Sequence, residues 1–280
     1  MNFIVECDVC GKKQESGESS AETPVKCEFC GRDIPPGVPR TKVEISESGN
    51  PIFRYGARER NFELAIGDDS SIERITGHIE TYVGPIKMVF HEMISDLVHI
   101  DVHQIAPSPE RPYWTLVTSG MSDRPMTVPE GDKSPCYLEL MLSLPPDWPM
   151  DQESLKDERN YWPIRWLKTL ARFPHEYSTY IGWGHSMPNS DPPEPLAKNT
   201  RLCGFVLIQP FLLPEAFQSL EVNAEKTIYF IGVYPLYAEE MDYKLKHGTP
   251  LLIERLQQAN VTEVVDVRRK NSCKKSLWPF

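Results

Sequence analysis

The sequence predicts an α+β fold: a mixed or antiparallel sheet with flanking helices over residues 58–280, preceded by a small separate unit over residues 1–57. Three observations lead there. The chain has 280 residues, room for one large domain and something smaller. Along residues 58–280, apolar runs of strand length mix with stripes of helical spacing, without the regular strand–helix–strand repeat of a doubly wound sheet. Finally, four of the seven cysteines fall in the first thirty residues, in two close pairs.

Those pairs are Cys7-Asp8-Val9-Cys10-Gly11 and Cys27-Glu28-Phe29-Cys30-Gly31, with sixteen residues between them. Two residues between cysteines make a tight turn that points both sulfurs at one ion. The following glycine supplies the positive φ that closes the turn. Two such turns give four thiolates around zinc, a closed tetrahedron with no position left for water, so the metal expected on Cys7, Cys10, Cys27 and Cys30 is structural. Gln14 to Glu22 reads as a flexible loop, and Val43–Ser46 with Ile52–Tyr55 as a hairpin turning at Ser48-Gly49-Asn50. Residues 1–57 are thus expected to be a zinc-ribbon-like unit.

In the larger part, Ile72, Ile75, Ile79 and Tyr82 mark an amphipathic helix that Ser70 or Ser71 can cap and Gly84-Pro85 ends. Strands are expected over 97–106, 113–118 and 137–144. A second helix carries Ile164, Leu167, Leu170 and Ala171, with Pro163 near its first turn. Strands follow at 203–208 and 228–233. Tyr237, Met241 and Leu245 define a third helix that Gly248 ends, Thr249-Pro250 opens a fourth, and Val261 to Val267 reads as a last strand.

The net charge is −10. Such a surface repels polyanions, and residues 1–57 carry nine acidic against seven basic side chains, so nucleic acid is not the expected partner. Apolar runs such as Ile228 to Tyr234 are too short to cross a bilayer, so no membrane-spanning segment is expected. The opening MNFIVEC lacks the basic and apolar regions of a secretory signal. Together with a metal-type cysteine pattern, this makes the reducing cytoplasm the expected location. The scattered Cys136 and Cys203 are expected to be buried small apolar residues.

Several stretches resemble the suppressor of fused domain family, its bacterial members above all: HIDVHQIAPSPERPYWTLVTSGMSDRPM (99–126), YLELMLSLPPDWP (137–149), YWPIRWLKTLARFPHEY (161–177), GWGHSMPN (182–189), YPLYAEEMDYKLKHG (234–248) and VVDVRR (264–269). The resemblance spans about residues 60–275. It implies a protein-binding rather than a catalytic role. The animal relative sequesters a transcription factor, and bacterial members are similar to immunity proteins that neutralise a cognate toxin. These 280 residues leave no room for the animal protein's additional C-terminal domain, so transcription-factor sequestration is not the expected role, and the cysteine unit lies outside the family pattern. Motif positions Asp123, Trp183, His185, Asp266 and Arg268 are the candidate partner-binding residues.

Two rival functions remain at this stage. His99, Asp101 and His103 alternate on a predicted strand and would share one face, a set able to serve a metal-dependent hydrolase. A zinc ribbon can also act in nucleic-acid-linked regulation. Catalytic motifs otherwise fail. His91-Glu92 begins like a zinc-protease helix, but Ser95 stands where the second histidine is needed. Gly120-Met121-Ser122 begins like a nucleophile elbow, but Arg124 replaces its last glycine.

Overall fold

The computed structural model describes residues 3–7, 13–16, 25–29, 31, 33–34, 40–42, 44–56, 58, 61–129 and 131–274. The chain divides into two compact units, Met1–Gly56 with Leu245–Gly248, and Ala57–Lys244 with Thr249–Phe280.

The first unit holds β1 (Phe3–Glu6), β2 (Lys13–Ser16), β3 (Val25–Lys26), β4 (Asp33–Ile34), β5 (Arg40–Lys42), β6 (Glu44–Ile45) and β7 (Pro51–Ile52). β1 lies between β2 and β5, while β3 pairs β4 and β6 pairs β7, all antiparallel. Between β3 and β4 the chain turns at Cys27–Gly31. The Gly31 N–H donates to the Cys27 carbonyl at 2.9 Å, with Gly31 at φ +71°, where a Cβ is unfavourable. Gln14, buried on β2, grips the same turn by donating to the Lys26 carbonyl (2.9 Å) and accepting from the Glu28 N–H (2.8 Å). Cys7 and Cys27 are buried in one cluster with Val5; Cys10 and Cys30 lie outside the described residues.

The second unit contains α1 (Asp69–Tyr82), β8 (Ile86–Phe90), β9 (Asp101–Ile105), β10 (Trp114–Ser119), β11 (Leu138–Leu144), α2 (Glu158–Glu176), β12 (Ser186–Pro188), β13 (Gly204–Ile208), β14 (Ser219–Asn223), β15 (Lys226–Leu236), α3 (Ala238–His247) as far as Lys244, and α4 (Thr249–Gln258). The sheet runs β12-β13-β15-β11-β10-β9-β8, with β14 also paired to β15. Among the strand pairings of the described residues in this sheet, β11–β15 is parallel and the others are antiparallel, so the class is the expected α+β. Strand side chains alternate between faces. Val102, Leu116, Leu140 and Leu142 pack with Trp162, Leu167 and Leu170 of α2. Ile105, Val117 and Met141 pack with Ile75 and Ile79 of α1. Val206, Ile208 and Tyr234 pack with Met241, Leu252 and Leu256 of α3 and α4.

Several elements differ from expectation. α1 is capped by Asp68, not Ser70 or Ser71: the Asp68 side chain accepts from the Ser70 N–H at 3.1 Å. α2 begins at Glu158, so Pro163 lies inside it, where it supplies no N–H. The carbonyl of Arg159, left without that donor, accepts from Asn199 Nδ2 at 3.1 Å. The last strand is reduced to one parallel bridge, Ser143 with Val264. Thr262 and Asp266 side chains accept from the Val264 and Arg268 N–H groups, and such local bonds compete with a ladder. Cys203 is buried but Cys136 is exposed.

Candidate functional site

β8 and β9 pair with Phe90 opposite Val102, which brings His91, just past β8, level with Asp101 at the start of β9. Asp101 shares its face with His103 and Ile105 and is 1 % exposed. The connecting residues form a long loop that turns at Leu97, whose φ of +66° is rare for a residue with a Cβ. The loop folds back on the carboxylate. His91 Nδ1 lies 2.8 Å from Asp101 Oδ2 and His99 Nε2 lies 3.2 Å from Oδ1. The Glu92 N–H donates to Oδ1 at 3.3 Å. One ligand atom each from His91, His99 and Asp101 lie within 4.8 Å of one another.

Further bonds hold the loop. Ser95 Oγ stands between His99 Nδ1 (2.7 Å) and Glu92 Oε2 (2.9 Å). Glu92 also accepts from the Ile100 N–H at 3.3 Å and pairs with Arg172 of α2. Asp96 pairs with Arg58.

The sequence expectation of a His99–Asp101–His103 face is corrected. His99 precedes the strand and reaches Asp101 from the loop. His103 is 1 % exposed, its Nε2 lies 2.9 Å from Ser119 Oγ, and burial pushes its pKa down to about 4. The third member of the cluster is His91. Its failed protease motif was the available signal: Ser95, in the place of the second histidine, binds His99 instead.

Beside this site Gly120 opens a short 3-10 turn over Met121–Asp123. Ser122 donates through its N–H (2.9 Å) and hydroxyl (2.6 Å) to Glu139 Oε1, and Thr118 donates to Oε2 at 2.6 Å. Glu139 is fully buried, and burial raises its pKa to about 7 against those bonds. Asp123 accepts from the Asp68 N–H at the start of α1 (3.2 Å); burial raises its pKa.

The remaining candidate residues are distributed. Trp183 is 45 % exposed. His185, two residues on, meets Tyr180 edge-on at 5.1 Å, and burial lowers its pKa. Asp266 and Arg268 share one exposed turn, the Arg268 N–H donating to Asp266 Oδ1 at 2.8 Å. No hydrogen bond, ion pair or ring contact among the described residues joins Asp123, the Trp183 loop and the Asp266 turn. Sequence reasoning passed over Arg269, which pairs with the buried Glu240 at 2.5 Å.

A different feature flanks the histidine loop. Residues 63–65 run antiparallel to 95–97, through Leu64 opposite Asp96, Ala65 N–H to Ser95 O (3.1 Å) and Leu97 N–H to Glu63 O (2.8 Å). These two segments hold Phe62, Leu64, Ile66, Met93 and Ile94 out of the core, at 61, 64, 89, 100 and 76 % exposure.

The family model described as suppressor of fused protein matches residues 96–270, more than half of the chain. The chain belongs to the suppressor of fused family. No curated protein matches it. Among solved structures it is similar to a putative suppressor of fused homolog from Neisseria gonorrhoeae, with 15 % identity and a TM-score of 0.51, over 74 % of this chain and 97 % of that one. It is also similar to a chain of the Sufu–Fu complex crystal structure, with 13 % identity and a TM-score of 0.52, over 77 % and 100 %. Drosophila Suppressor of Fused matches with 14 % identity and a TM-score of 0.48, over 72 % and 50 %. At these identities the two likenesses with TM-scores above 0.5 show the fold alone. The histidine loop straddles the start of the family match: His99 and Asp101 fall inside it, His91 just before.

Proposed function

We propose that this suppressor of fused chain is a non-enzymatic protein-binding module, which holds and neutralises or regulates a protein partner as an immunity protein holds its toxin. The observation that carries this reading is the exposed apolar set Phe62, Leu64, Ile66, Met93 and Ile94. Large apolar side chains gathered on adjacent segments mark interaction surfaces, because a monomer gains nothing by holding them in water. A net charge of −10 suits a basic partner with an apolar anchor, through faster and more selective encounter. The relative in the Sufu–Fu complex has a protein partner, which supports the same reading. No helix among the described residues is long and apolar enough to cross a membrane, and the cytoplasm is the proposed location.

The first unit is proposed to carry a structural zinc on Cys7, Cys10, Cys27 and Cys30. Support comes from the spacing, from Cys7 and Cys27 meeting in one buried cluster, and from the turn closed at Gly31.

Affinity capture followed by co-expression tests the function. A single stoichiometric basic partner is expected, whose toxicity on its own is relieved when this chain is co-expressed. A captured partner whose activity is unchanged by excess of this chain contradicts neutralisation. A Cys27→Ser, Cys30→Ser variant that loses the partner while the second unit stays folded assigns the cysteine unit to the interface.

A further inference from the structure

The Asp101 carboxylate is buried, at 1 % exposure, and its direct ion-pair partners among the described residues are the His91 and His99 rings. The Lys168 ammonium of α2 acts on it electrostatically from farther off. A buried anion is stable only with a counter-charge. The hydrogen-bond chain behind His99 narrows the solutions. Glu92 is paired with Arg172 and can only accept, so the one hydroxyl proton of Ser95 goes to Glu92. Ser95 Oγ must then accept from His99 Nδ1–H across 2.7 Å. This fixes the tautomer and turns the other ring nitrogen, Nε2, toward Asp101 Oδ1 at 3.2 Å. With Nδ1–H committed to Ser95, Nε2 and Asp101 Oδ1 are joined by a cation, a proton or a metal ion.

We propose that His91, His99 and Asp101 form a zinc site. Bonds of about 2.0–2.1 Å put tetrahedral ligands about 3.3 Å apart, and the His99–Asp101 separation of 3.2 Å already has that span. His91 completes the set, its Nδ1 lying 2.8 Å from the other carboxylate oxygen. Two imidazoles and one carboxylate are a zinc donor set that keeps a fourth position open. Here that position faces solvent, since the His91 side chain is 68 % exposed. The Glu92–Ser95–His99 chain is the outer support that metal-bound histidines use to fix ring orientation and raise basicity. Gly67 is packed against the other side: a Cβ there would come within 3.2 Å of the His99 ring. Because Glu92 is held by Arg172, Ser95 and the Ile100 N–H, its role is to position rather than to take a proton from a bound water.

The test is a metal titration of the chelator-stripped full-length chain with Zn2+ and, as a spectroscopic probe, Co2+. Thiolate sites give Co2+ intense sulfur-to-metal charge-transfer bands, whereas a nitrogen–oxygen site does not, so the cysteine cluster is counted separately. His91→Ala is expected to lose about one equivalent of metal with the thiolate bands unchanged. Because His91 also pairs with Asp101, the thermal transition of the stripped variant is measured alongside, and metal is counted where both chains are folded. Asp101→Asn, nearly isosteric, is expected to lose the same equivalent, and Ser95→Ala to weaken zinc binding about 10–100-fold. Zinc should raise the thermal midpoint of the wild type beyond that of His91→Ala. The proposal is overturned if both His91→Ala and Asp101→Asn keep the full metal complement, or if thiolate bands account for every ion bound.

Discussion

Glu139 and Glu240 are both fully buried carboxyls, and their surroundings push them in opposite directions. Glu139 has hydroxyl and N–H donors but no cation, so burial wins and its pKa rises from 4.5 to about 7. The folded state then binds a proton that the unfolded chain has released. Its contribution to stability is full below pH 4.5 and is lost as pH rises through 7. At about 1.4 kcal/mol per pH unit the loss is about 3 kcal/mol. Glu139→Gln keeps the acceptor toward Ser122, and Thr118 can accept from its amide. The variant is expected to flatten the pH dependence between 4.5 and 7 and to be more stable than wild type at pH 8, measured by urea unfolding. Glu240 is also raised by burial, but Arg269 bonds to both its oxygens (2.5 and 2.6 Å). Tyr237 and Ser272 N–H groups add to this, and its pKa ends below the usual value. Its stability contribution is present above the ordinary glutamate range and is lost as pH falls through the folded value. Arg269→Met leaves the buried carboxylate without its cation and should cost about 3–5 kcal/mol at pH 7. Equilibrium unfolding at that pH checks the figure, and the same variant should lose less on acidification than wild type.

At the scale of elements, the turn from β10 into Met121–Asp123 depends on one glycine. Gly120 has φ +96°, and a Cβ there would lie 1.7 Å from the His99 carbonyl oxygen. The close approach brings the histidine loop against the turn that carries Ser122 and Asp123. Gly120→Ala combines backbone strain with a backbone clash, and an expected loss of about 3 kcal/mol or more should appear as a lowered urea midpoint. β10, β11, β13 and β15 were legible in the sequence, because continuous apolar runs bounded by Pro and polar turns leave few alternatives. β14 was passed over although its burial alternates, because five residues between two turns carry a weak signal. The final strand failed for the reason seen at Thr262 and Asp266, where side chains take the donors a ladder needs. The histidine cluster was half legible. Alternation put Asp101 and His103 on one face correctly, but it assumed that the strand already included His99. His91 joins only because the loop folds back on itself, a long-range event that local pattern does not encode.

Across the whole molecule, the proposed metal site and the proposed binding surface lie next to each other. The histidine loop is bordered by the same segments that present Phe62, Leu64, Ile66, Met93 and Ile94, and the sheet behind it is packed on both faces by α1 and α2. A rigid base under an exposed apolar surface suits binding with little reorganisation, which keeps the entropic cost of association low. Fold class and family were legible because the motif series runs through nearly all of the second unit. The apolar surface was not, since nothing in Phe62 to Ile66 or Met93-Ile94 marks them as exposed until residues 63–65 are seen to lie along 95–97. The central claim is that this surface binds a protein partner. The most direct measurement is the dissociation constant of the captured partner for the wild-type chain and for an Ile66→Asp, Met93→Asp variant, both sites being exposed and free of core packing. A weakening of about tenfold or more, with unchanged unfolding midpoint, is the predicted result. Equal affinity for both chains would contradict the account and move the interface elsewhere, with the Trp183 loop the next surface to test.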